Sequence, residues 1–184
     1  QRRRISSELE SILANVGDGQ PHLTHYLLLA VGRLGQPHGI EAIGTFFDSS
    51  EMIVHLGCLR GLASSPDLET ARQLIPQVIE HLDNPHWQVQ IEAAITLGHL
   101  GRPENLEVVE ALAGTIDPTA SDHRDVVWNA AVALARLGDE RGLDFVIEVL
   151  LNRKALSRLS AKVAGPGSID AMSSPQQDRV MTTT

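Results

Sequence analysis

The chain has 184 residues, of which 42% are hydrophobic, 21% charged and only 3% aromatic, with a formal net charge of −8. Two Trp, one Tyr and three Phe are too few for a β-sandwich or barrel, whose strands favour such residues. The ordinary apolar content excludes a disordered chain. No run of 18 uncharged apolar residues could span a membrane, and an acidic balance does not suit nucleic-acid binding.

Arg2-Arg3-Arg4 is the one basic run and reads as a solvated helix start. An amphipathic helix is expected over 6–16, capped by Ser6-Ser7, as the second helix of a truncated repeat in region 1–21. A short phrase then recurs four times. It is Ala30-Val31-Gly32-Arg33-Leu34-Gly35, then Cys58-Leu59-Arg60-Gly61-Leu62-Ala63. It returns as Thr96-Leu97-Gly98-His99-Leu100-Gly101 and as Ala133-Leu134-Ala135-Arg136-Leu137-Gly138. The phrases end 28, 38 and 37 positions apart, and each closes an apolar helical pattern on a small residue, often a Gly suited to a left-handed cap.

Each phrase belongs to a first helix (A) that a polar turn separates from a second (B). The pairs are expected at 22–34 with 38–47, 51–63 with 67–82, 86–100 with 104–116, and a fourth A helix with 140–151. Pro76 should bend or break the second B helix, because it lacks an N–H and its ring collides with the preceding turn. In the third B helix Leu106, Val109, Leu112, Ala113 and Ile116 are expected to face inward. In the fourth, Leu143, Val146, Ile147, Leu150 and Leu151 are. The array spans 22–156, divided at about 22–50, 51–86, 87–124 and 125–156. An irregular connection over 157–184 leads to a further helix starting near Ser174-Pro175. One pair cannot bury both of its apolar sides, so the pairs stack into an all-α solenoid in which Ala93-Ala94 and Ala130-Ala131 permit close packing.

The stretches 84–112 and 125–150 resemble HEAT-like repeats of the type named after phycobilisome lyase subunits. The shared features are a turn with Asp and Pro, a helix reading Val-x-x-x-Ala-Ala-x-x-Leu-Gly-x-Leu-Gly, and a second amphipathic helix. The resemblance covers about 22–151 and implies an α-α superhelix whose B helices line a concave face. The chain departs from the family pattern where an Arg often follows the A-helix Val: here stand Gln90 and Val127. Such proteins include scaffolds, adaptors, regulatory domains and some enzymes. The resemblance to deoxyhypusine hydroxylase implies a di-iron site held by His-Glu pairs. Those pairs do not carry over: Ile91-Glu92 has no His, Trp128-Asn129 has neither partner, and no His-Glu dipeptide occurs in the chain. Phycobilin lyase subunits share the repeat, but no separate pigment motif is visible.

The remaining residues suggest no chemistry. His22 and His25 sit three apart but lack a third metal ligand, and read as solvated helix-end histidines. No nucleophile with a base and orienting acid, and no Gly-rich phosphate loop, is evident. Cys58, the single cysteine, is expected to be a buried structural thiol and permits no intrachain disulfide, which fits a reducing compartment. The B helices are acidic, and Glu69, Glu80, Glu104, Glu107, Glu110, Asp144 and Glu148 are candidate partner-binding residues, with Arg72 and Arg141 the main basic ones among them.

The sequence is therefore read as a cytoplasmic, non-catalytic protein-interaction module, without cofactor or metal, that binds a protein partner's basic segment along an acidic concave groove. It is read as cut from a longer chain, because it begins at Gln1 and stops at Thr184 with no capping Gly or polar tail. The alternatives are a regulatory or substrate-positioning domain of a multidomain enzyme, and a chromophore-lyase-like subunit.

Overall fold

Prolines, glycines and short polar turns cut the chain into helices at almost every expected point. The computed structural model describes residues 2–16, 19–116 and 123–151. Helix α1 covers Arg2–Val16, so Ser6 and Ser7 lie inside it and do not cap it. Helix α2 covers Pro21–Leu34 and α3 Pro37–Gly44, each with proline in its first turn, where a missing N–H costs nothing. Helix α4 spans Met52–Ala63. The second B segment is broken, as Pro76 requires, into α5 (Leu68–Arg72) and α6 (Ile75–Glu80), followed by a 3-10 turn at His81–Asp83. Helices α7 (Trp87–Leu100) and α8 (Leu106–Thr115) form the third pair, and α9 (Arg124–Arg136) and α10 (Glu140–Leu151) the fourth.

The A helices α2, α4, α7 and α9 stack in chain order as one layer. The B helices form the other: α3 lies against α2 and α4, α5 and α6 against α7, and α8 and α10 against α9. Helix α1 covers the exposed side of α2 and α3. The shared core is aliphatic, with Leu28, Val31, Val54, Leu59, Leu62, Leu97 and Leu134 fully buried. The described residues contain no strand, and the fold is the expected α-solenoid. None of the described helices is long and apolar enough to cross a membrane.

Small residues set the spacing of the A layer, and glycines matter more than the alanine pairs alone suggest. A Cβ on Gly32 would lie 2.6 Å from the Cα of Gly61, so α2 and α4 touch backbone to backbone. Gly98 and Ala133 repeat the close approach between α7 and α9, where an added Cβ would lie 2.9 Å from that of Ala133. Left-handed caps occur at two of the four phrase ends, Gly35 with φ 62° and Gly138 with φ 82°. Gly101 instead leaves α7 extended, at φ −62° and ψ 161°, and α4 ends on Ser64 at φ −94°. The Gly-ended phrase thus marks a helix end and does not dictate one backbone geometry.

Two expected inward rows are corrected. Helix α8 starts at Leu106 and buries Val108, Val109 and Leu112, which share one face. Leu106, the first residue of the helix, lies one turn before Val109 at the open end of α8 and is 71% exposed. On α10, Leu143, Ile147 and Leu150 are also exposed, because this helix is the last of the described array and nothing described packs against its outer side. The connection over 157–184, the helix expected near Ser174, and Leu151's side chain lie outside the described residues.

Candidate functional site

The candidate acidic residues are placed by the B layer, and the fold divides them into two local groups. Asp67 caps α5 by accepting the Thr70 N–H at 3.2 Å, which sets Glu69 and Arg72 on the first exposed turn. Glu69 accepts from Arg72 at 2.8 Å and from Arg102, in the α7–α8 turn, at 2.6 Å. Arg72 also donates to the Leu100 carbonyl at 2.8 Å, which ties the second and third pairs together. Beside this cluster runs an open cleft of about 750 Å³, whose rim includes Arg72, Arg102, Glu104 and Glu107. Glu104 and Glu107 are exposed and enter no ion pair among the described residues.

Glu110 belongs to the second group. Arg141 of α10 holds it at 2.9 Å and also grips Asp139 at 2.9 Å, bridging the third and fourth pairs. Hydrogen bonding from Arg141 keeps the Glu110 carboxyl below its ordinary range. Glu80 and Asp144 are exposed elsewhere on the layer, and the side chain of Glu148 is not described. Two of the seven candidate acids, Glu69 and Glu110, are therefore held by arginines within the array. Arg72 and Arg141 of the B helices, with Arg102 of the α7–α8 turn, supply the positive partners.

Several residues escaped notice because their partners sit in other repeats. His25 is not a solvated helix-end residue: it is buried, and its Nδ1 donates to the Ile53 carbonyl at 3.0 Å across the α2–α4 contact. His55 donates from Nε2 to the Ser49 carbonyl at 2.6 Å and accepts from Asn84 Nδ2 at 3.3 Å, as a neutral imidazole can. His81 is buried against it, ring centroids 4.8 Å apart, with Phe47 on its other side. Cys58 is buried as expected, and burial pushes its thiol well above the ordinary range, so it is no nucleophile.

Burial, then His81 and His86 nearby, lower the His55 pKa against the opposing pull of the Ser49 and Phe47 carbonyls. A histidine whose folded pKa is depressed binds fewer protons folded than unfolded. Its contribution is whole above the unfolded pKa of about 6.5 and is lost as pH falls below it. The urea midpoint should therefore drop between about pH 7.5 and pH 5.5, and His55→Gln should flatten that slope. Equal slopes in the two proteins would show that another group is responsible.

No group of three or more His, Cys, Asp or Glu that could hold a metal ion exists among the described residues. Glu92, the one acid in the mid-helix repeat phrase, is engaged by Arg60 at 2.9 Å. The His-Glu donor set of a di-iron centre is thus not met by the described part of this chain, and no step is derived through iron.

The HEAT repeats family matches residues 75–164. Deoxyhypusine hydroxylase from Phaeosphaeria nodorum is 33% identical over 95 residues, which is 51% of this chain and 27% of that protein. The Emericella nidulans enzyme of the same name is 32% identical over 97 residues, with the same coverage, and that of Aspergillus fumigatus 33% over 95. The match thus spans about a quarter of the length of these relatives. No solved structure shows significant similarity to the chain. These relatives overturn the reading as a non-catalytic scaffold, because each carries the name of an enzyme. The described residues form an α-solenoid, residues 75–164 of the chain match HEAT repeats, and about half of the chain is similar to a part of deoxyhypusine hydroxylases.

Proposed function

We propose that the chain is part of a HEAT-repeat enzyme that hydroxylates deoxyhypusine in a protein substrate, and that the described repeats position that substrate. The observation that carries the reading is the 32–33% identity to deoxyhypusine hydroxylases over 95–97 residues. Helix packing alone would tolerate far more divergence, since any aliphatic residues of suitable volume satisfy a solenoid core. Support for the positioning role comes from the exposed acids Glu104 and Glu107 on the rim of the open cleft.

In this reading Glu104 and Glu107, along the open cleft, meet basic groups of the substrate protein, with the exposed Glu80 and Asp144 adding negative charge elsewhere on the B layer. Glu69 and Glu110 act mainly through the arginines they hold. A rim charge of this kind governs encounter and register more than it governs the reaction. The test is an oxygen-transfer assay with the longest natural protein that contains this chain, using a deoxyhypusine-bearing protein followed by mass spectrometry. The reading expects the substrate to gain one oxygen atom. No gain, under conditions in which the Aspergillus fumigatus enzyme is active, would overturn it.

A further inference from the structure

We propose that residues 152–164 fold back onto the outer side of α10 and cap the end of the array. The chain continues from α10 directly into these residues, so they are tethered at the edge of the face they would cover. The HEAT repeats match also runs past α10 to residue 164, so the family pattern takes them in.

The face calls for a cover. Leu143, Ile147 and Leu150 recur at helical spacing on α10 and are 50%, 43% and 67% exposed. A repeat array needs a polar outer face where it ends, and an apolar strip left open invites association. Glu140, Asp144 and Glu148 stand four apart on the same helix, at register positions that form a second stripe beside the first. The outer side of α10 is thus apolar with an acidic edge.

The sequence of 152–164 is its counterpart. Leu156, Leu159 and Val163 are three and four apart, the spacing that brings apolar residues to one side of a helix. Lys154, Arg158 and Lys162 are four apart beside them, Arg153 adds a further cation, and no acid interrupts the stretch. The apolar residues of the segment cover Leu143, Ile147 and Leu150, and its cations meet the acidic edge. Charge and tethering select this occupant. A second copy presenting its own α10 would set acid against acid. The tethered segment has an effective concentration on the order of millimolar, which a second chain in dilute solution does not reach.

The cap forms whatever the parent protein catalyses, and its test is separate from the oxygen-transfer assay. In the full chain a cysteine is placed on the covered face as Ile147→Cys and on an open surface as Leu106→Cys. Cys58 is buried and serves as the slow internal reference. A thiol reagent should modify position 147 about tenfold more slowly than position 106, since a covered thiol reacts only while the segment is off. That is far more than the exposures of 43% and 71% account for. The difference should not change with protein concentration. Leu156→Ser with Leu159→Ser, and separately Arg158→Glu with Lys162→Glu, should bring the rate at position 147 toward that at 106 while helical circular dichroism is kept. Three results would overturn the proposal: similar rates at the two positions before the segment is altered, slow reaction that persists in either segment variant, or protection that grows with protein concentration, as a second copy would give.

Discussion

Replacing Leu97 with alanine should cost about 2–5 kcal/mol of stability. Leu97 is fully buried in α7, which packs between α4 and α9, so the lost methyl groups leave a cavity that helices on both sides would have to close. On the α9 side, Gly98 already meets Ala133 closely, so that helix has little room to move inward. The contrasting change is Leu106→Ala in α8, at a side chain 71% exposed, which should stay within about 0.5 kcal/mol of the parent. Urea unfolding of both variants measures the difference. If they proved equally costly, the placement of the core between the layers would be wrong.

The second large effect is expected at Gly32. Alanine for glycine inside a helix ordinarily stabilises it by about 1 kcal/mol. Here the new methyl would run into the backbone of Gly61, which cannot rotate away as a side chain could. Overpacking of this kind costs about 1–3 kcal/mol, and α2 and α4 must separate to relieve it. The collision less the helix gain leaves a net loss of up to about 2 kcal/mol, so the thermal midpoint should fall, at about 2–4 °C per kcal/mol for a chain of this size. Gly114→Ala supplies the opposite sign. That position lies in α8 with nothing within 4 Å of an added Cβ, so helix propensity acts alone and the midpoint should rise. Thermal unfolding of the two variants together distinguishes the collision from any general effect of removing glycine.

The same glycines show how far the sequence could be read. The recurring phrase gave away the A helices, because a helix in a thin stack repeats its small residues where neighbours approach. Pro76 announced the break between α5 and α6 for a reason internal to the chain, the missing N–H and the ring clash. Register was harder. Leu106, Leu143, Ile147 and Leu150 fit an apolar stripe as well as their buried neighbours do, and only the start of α8 and the neighbours of α10 decide which way they point. The backbone-to-backbone meeting of Gly32 and Gly61 was hidden too, since it depends on which faces of two helices meet.

The site was less legible than the fold. Charges on the B helices looked like a groove for a partner, but Glu69 and Glu110 find arginines 33 and 31 residues further along the chain. Pairings between repeats have no local signature. The scaffold reading failed for a related reason. A repeat packs by the same physics in an enzyme and in a scaffold, so helix periodicity and surface charge do not separate the two. The relatives this chain resembles carry the name of an enzyme.

The proposal that these repeats position a protein substrate has a direct test. The most direct measurement is steady-state hydroxylation by the parent protein carrying Glu104→Lys and Glu107→Lys, both at exposed positions on the cleft. The account predicts a KM raised about tenfold or more, sensitive to salt, with kcat close to that of the unmodified protein. A fall in kcat with KM unchanged would place these residues in the reaction itself and contradict the account.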